Sequence, residues 1–158
     1  MDALRQHTIN LHTGELAHLD FDRAVFDMPT PLRGLRPHGV SHSAWELVEH
    51  MRICQWDILR FTVDPAHVSP GFPEGYWPRS EAPLDPEDWD RSLDAFRADR
   101  KALLDLVADP NTDLLAPLPH APEYTVLREA LLAADHNAYH LGQLVLTRKL
   151  LGAWPDEG

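Results

Sequence analysis

Ala134-Asp135-His136-Asn137-Ala138-Tyr139-His140-Leu141-Gly142-Gln143 is the stretch from which the rest of this chain is read. It lies within Ala121–Leu151, a segment that reads as one long helix. His136 and His140 are four residues apart, a spacing that stacks two imidazoles on one helix face about 5–6 Å apart at Cβ. Two ring nitrogens so placed can reach one metal ion, which is why this spacing recurs in helical metal sites. Two histidines do not close a site, so a third ligand has to come from elsewhere. The alternative is two partly exposed histidines with no shared role.

A projection at 3.6 residues per turn places Leu127, Leu131, Ala134, Ala138, Leu141 and Val145 on one stripe, the expected core face. His136 and His140 fall on the opposite side, near Glu129, Leu132, Tyr139 and Gln143. Apolar and aromatic neighbours among those polar groups suit the wall of a cavity better than a solvated face.

Working outward, 158 residues is the length of one domain, expected over 1–158, and 44% hydrophobic content is enough for a core. The net charge of −11 and the scattering of 14 Lys and Arg argue against a nucleic-acid partner and against an anionic membrane surface. A single cysteine excludes an internal disulfide and fits a reducing compartment. The first residues, Met1-Asp2-Ala3-Leu4-Arg5-Gln6, lack the basic start and apolar run of a signal peptide, and nothing approaches a membrane span. The expectation is a cytoplasmic protein.

Residues 2–13 carry helix formers with Leu4 and Leu11 as the apolar spacing, and Gly14 interrupts them. Asp20 to Met28 is a second helical stretch, stopped by Pro29 and Pro31. Ser43-Ala44-Trp45-Glu46 is a capping-box signature that opens a helix running to about Phe61. Leu47, Met51, Cys54 and Ile58 form its apolar stripe, and His50 sits at the stripe's edge. A histidine there is ordinarily packed and satisfied, but this element could also carry the missing third nitrogen.

Residues 62–86 hold six prolines together with Phe72, Tyr76 and Trp77, too much proline for a helix or regular strand. A loop of that length is either a functional lid or binding loop, or a surface arm packed by its aromatics. Asp85-Pro86-Glu87-Asp88 starts a further helix, with stripe Trp89, Leu93, Phe96, Leu103 and Val107. A proline-broken connector over 110–122 leads to the last helix, expected from about Glu123 to Gly152. No strand is expected. Four substantial helical stretches and one long loop make an all-α bundle.

The segments Ser43-Ala44-Trp45-Glu46-Leu47-Val48-Glu49-His50-Met51-Arg52 and Asp135–Gln143, at this separation, resemble the DinB-like superfamily of four-helix-bundle proteins. The resemblance implies an all-α four-helix bundle with the proline- and aromatic-rich loop between its second and third helices. It also implies a divalent metal on three histidines, one from the second bundle helix and a pair from the last: His50, His136 and His140. Imidazole ligands suit zinc or nickel as well as copper or iron. Three imidazoles with room for water make an open, catalytic type of site. Glu129, Gln143 and Asp57 are the candidates for holding the imidazoles in place from behind.

Members of the superfamily include enzymes that use low-molecular-weight thiols such as bacillithiol and mycothiol, and others described as metal-dependent hydrolases. The implied function is therefore metal-dependent activation of a thiol or water for transfer or hydrolysis on a small-molecule substrate. The alternative is a noncatalytic metal-bound module for ligand binding or stress response. A homodimer is a further expectation from the resemblance. Cys54, on an apolar stripe, reads as core rather than as a fourth ligand or nucleophile. His38, His42 and His67 lie in or beside connectors and are expected to be exposed, and His7, His12 and His18 form no regular pattern.

Overall fold

A computed structural model describes residues 2–14 and 17–155 of the chain. The single domain expected over 1–158 thus includes Met1, Glu15, Leu16 and residues 156–158, which lie outside the described residues. The order is α1 (Ala3–Thr13), α2 (Phe21–Val25), α3 (Ala44–Val63), α4 (Asp88–Ala108), β1 (Pro117–Leu118), β2 (Ala121–Thr125) and α5 (Val126–Leu150). The architecture is all-α: α3 packs against α4 and α5, α1 against those same two helices, and α2 closes on α5. No helix among the described residues is long and apolar enough to cross a membrane.

Local chemistry sets the ends. The Asp2 carboxylate accepts from the backbone N–H of Arg5 and starts α1. Gly14 ends it at φ 73°, where a side chain would be strained, and a Cβ there would lie 2.7 Å from the Cβ of Asp20. The Ser43 capping box is present in full: its hydroxyl accepts from Glu46 N–H, and the Glu46 carboxylate accepts from Ser43 N–H at 2.8 Å. Ser43 Oγ also donates to the Glu81 carbonyl at 2.6 Å, tying the long loop to the start of α3.

Two helix starts differ from expectation. Helix α4 begins at Asp88, with Glu87 rather than Asp85 at the cap position, because the Asp88 carboxylate accepts from the N–H groups of Leu84 and Asp85 and holds the preceding residues in a turn. Helix α5 begins at Val126, with the Thr125 hydroxyl as its cap. Residues 121–125 instead pair antiparallel with Pro117–Leu118, so the expectation of no strand is corrected. This small ribbon is a product of packing. Leu118 and Ala121 are buried with Val107, Leu114, Val126 and Ala130, and His120 Nε2 donates to the Phe61 carbonyl.

The α3 stripe Leu47, Met51, Cys54 and Ile58 is buried as expected, whereas the stripe assigned to α5 is turned by roughly a quarter of a circle. Leu131 is exposed, and the centre of the buried face is Val126, Ala130, Ala133, Asn137 and Leu144. Small residues at 130, 133 and 134 let α5 approach its neighbours closely, and it is covered on more than one side. Leucine count therefore does not mark its core face. The same effect appears in α1, where Leu4 and Leu11 point outward while Thr8 and His12 are buried.

Candidate metal centre

Helix α3 supplies His50 and helix α5 supplies His136 and His140, one turn apart. The Nε2 atom of His50 lies 3.1 Å from Nε2 of His140 and 3.1 Å from Nε2 of His136. One nitrogen from each ring falls within 4.8 Å of the other two. His50 and His140 are buried and His136 is partly buried, so His140 sits at the margin of the buried face rather than opposite to it.

In two of the three rings the other nitrogen fixes the tautomer. His50 Nδ1 donates to the backbone carbonyl of Tyr76 at 2.7 Å. His140 Nδ1 donates to the side-chain carbonyl of Gln143 at 2.7 Å. With the protons on Nδ1, both Nε2 atoms present lone pairs to the same point. Burial, reinforced by the neighbouring imidazoles, pushes His136 and His140 down to about 4, and burial lowers His50 as well. All three rings are thus neutral at pH 7. Lone pairs converging at such distances repel unless a proton or a cation lies between them, and three neutral imidazoles are a fitting donor set for a divalent ion. The Nδ1 of His136 is buried without a hydrogen-bond partner among the described residues, so no acceptor at that atom holds a proton there.

The long loop closes one side. Trp77 lies flat on the His50 ring, centroids 3.9 Å apart and planes 1° from parallel, and His42 stacks on Trp77 at 4.0 Å. Asp57 does not contact His50. Its carboxylate accepts from the Tyr76 hydroxyl at 2.7 Å and is 2.7 Å from His67 Nε2, so it acts on His50 only through the Tyr76 backbone. Burial and the Asp57 carboxylate push the Tyr76 phenol up to about 12. Glu129 is fully buried but bonds to Arg128 and makes no hydrogen bond to the three imidazoles. Of the three residues considered as supports, only Gln143 touches a ring of the cluster.

His42 and His67 are also corrected: one is half-buried on Trp77 and the other is held by Asp57, while His38 is exposed. Cys54 is buried one turn after His50, with Sγ 3.7 Å from His50 Nδ1, and burial pushes its thiol up to about 12. His12 is buried and donates through Nε2 to the Ala130 carbonyl, a structural role. Tyr76 and Trp77 were legible only as members of an aromatic-rich loop. Nothing in their spacing pairs them with His50, 26 positions before Tyr76 and 27 before Trp77.

Above the imidazoles lies a cavity of about 460 Å³, walled by Ile58, Phe72, Pro73, Tyr76, Trp77 and Leu132 and by Cys54 and Asp57. A cation held by the three histidines would therefore face a space large enough for a small molecule.

A family model described as the DinB superfamily matches residues 15–144. No curated protein and no solved structure matches the chain.

Proposed function

The chain belongs to the DinB superfamily, and on that premise we propose that it is a metal-dependent enzyme acting on a small molecule. His50, His136 and His140 hold one divalent ion, in our reading zinc or nickel, both of which suit imidazole donors as copper and iron also do. When bound, such an ion supplies Lewis acidity, lowering the pKa of a coordinated water or low-molecular-weight thiol or polarising a carbonyl. The chain's own groups do the rest. Tyr76 and Gln143 hold the ring protons of His50 and His140 away from the centre, and Trp77 covers one face of His50 against water. The apolar walls favour a substrate that sheds its hydration, and the reaction class is transfer or hydrolysis.

The observation that carries this reading is the convergence of three neutral imidazole nitrogens at one end of an accessible cavity. Elemental analysis of untagged protein tests it. The expected result is about one divalent ion per chain, lost in His136→Ala; protein that holds none and takes up neither zinc nor nickel defeats the reading. The proposal extends to a single-domain, cytoplasmic protein with no nucleic-acid or membrane partner, working as a homodimer.

One observation favours the alternative of a noncatalytic metal-bound module. Among the described residues of the wall, Asp57 already has two partners, the Tyr76 hydroxyl is one of them, and the Cys54 thiol is held protonated, which leaves no free proton-transfer group beside the imidazoles. Turnover of electrophiles by the metal-loaded protein, in the presence and absence of thiols, separates the two.

A further inference from the structure

Two consecutive residues of the long loop hold the His50 ring from different directions. The Tyr76 carbonyl accepts from Nδ1 at 2.7 Å, which orients the ring within its own plane. The Trp77 indole lies on the ring face, centroids 3.9 Å apart and planes 1° from parallel, which fixes the plane itself. The second indole face is covered by His42, at 4.0 Å and 16°. His42 immediately precedes Ser43, the cap of α3, and Ser43 Oγ donates to the Glu81 carbonyl. This backing ring therefore stands where the loop is tied to the helix. It keeps its place in the stack although its Nδ1 is buried without a hydrogen-bond partner among the described residues. Trp77 itself packs against the core cluster that contains Trp45, Leu47 and Leu144.

A stack of this kind responds to charge. The face of an indole is electron-rich, and it attracts a cationic or electron-poor group more strongly than a neutral one. A neutral imidazole is a modest partner. An imidazole that shares its Nε2 lone pair with a divalent ion is electron-poor and a better one. The contact thus differs in strength between metal-free and metal-loaded protein, and a ligand shifts a conformational equilibrium only through such a difference. The shift is reciprocal: the factor by which metal favours the seated loop is the factor by which the seated loop favours metal. A tryptophan that merely filled space would hold the loop equally in both states.

We propose that the stack of His42, Trp77 and His50 couples the metal to the loop. Loading of the three histidines tightens residues 64–87 against the centre, and the seated loop in turn retains the metal. Trp77 is the positioning residue, acting through His50, and His42 is its backing. This rests on the reading of His50, His136 and His140 as a metal centre. It adds that the loop supplying the Phe72, Tyr76 and Trp77 wall of the cavity is held more firmly when the metal is in place.

Full-length wild type, Trp77→Phe, Trp77→Leu and His42→Ala test the coupling, with zinc and nickel as probes. Metal affinity is measured by competition with a chromogenic chelator, and hydrogen exchange over residues 64–87 is followed before and after loading. Metal should slow exchange in the wild-type loop severalfold and do so far less in Trp77→Leu. Affinity should fall roughly fivefold or more in Trp77→Leu. Trp77→Phe, which keeps an aromatic face, and His42→Ala, which leaves Trp77 and all three ligands untouched, should fall between. Equal affinity in wild type and Trp77→Leu, or equal metal protection of the loop in wild type and either Trp77→Leu or His42→Ala, overturns the coupling. Should Trp77→Leu fail to fold, His42→Ala decides the matter alone. Wild type that takes up neither metal defeats the metal reading and the coupling together, whereas metal uptake without loop protection defeats the coupling only.

Discussion

His50 and Tyr76 are joined through the Nδ1–H of one and the backbone carbonyl of the other, at 2.7 Å across 26 residues of sequence. The Tyr76 hydroxyl is in turn held by Asp57, which stands on the same helix as His50. Helix α3 thus grips the loop twice through one residue, by side chain at Asp57 and by ring at His50. The loop conformation and the orientation of the His50 ring are therefore one problem with one solution.

Tyr76→Phe should loosen that grip without disturbing the bundle. It leaves the buried Asp57 with one partner fewer, a loss of about 1–3 kcal/mol. Hydrogen exchange is expected to rise across residues 64–87 while α3, α4 and α5 stay protected. Unchanged exchange in the loop would mean that the hydroxyl does not anchor it.

Gln143→Leu removes the acceptor for His140 Nδ1–H at a half-buried position. Supports of this kind are worth about 10–100-fold in metal affinity. Competition with a chromogenic chelator should show a loss of that size, with the melting temperature of metal-free protein little changed. An equal affinity in wild type and variant would assign Gln143 no role at the centre.

Acid should weaken the metal-free fold in a defined window. Folded His136 and His140 are pushed to about 4, whereas in the unfolded chain they return to the ordinary 6.5. Between these values the unfolded chain binds more protons, so stability is full above 6.5 and falls as the pH drops towards 4. Melting temperatures of metal-free wild type should decline through that range more steeply than those of a His136→Asn, His140→Asn double variant. Parallel curves for the two would refute the assignment.

Cys54 should be inert in the native state. It is 8% exposed, and its thiol is pushed up to about 12 by burial and the nearby Asp57. Reaction with a disulfide reagent at pH 8 is expected only after denaturation, and Cys54→Ala should keep its metal. Rapid labelling of native protein would show that the cavity wall opens.

The helical class was legible in the sequence because helices announce themselves locally. The Ser43 capping box and the stripe Leu47, Met51, Cys54 and Ile58 need only a few consecutive residues to be recognised, and both stand as read. The histidine pair was legible for the same reason, since four residues of helix suffice to set His136 beside His140. His50 stood out only as a possible third nitrogen at the edge of the α3 stripe, and its place beside His136 and His140 came from family resemblance, because a distance of 86 residues carries no periodicity of its own.

Tertiary structure decided the rest. The face of α5 that is buried depends on how closely small side chains let α3 and α4 approach, so Leu131 points outward and Asn137 inward. The ribbon at 117–125 exists because its residues find a buried cluster, not because they favour strand. Asp57 and Glu129 lie where spacing placed them, yet each is satisfied by another partner: Tyr76 and His67 for one, Arg128 for the other. A buried polar group takes whichever partner the packed chain brings within reach, and sequence spacing along one helix does not contain that information.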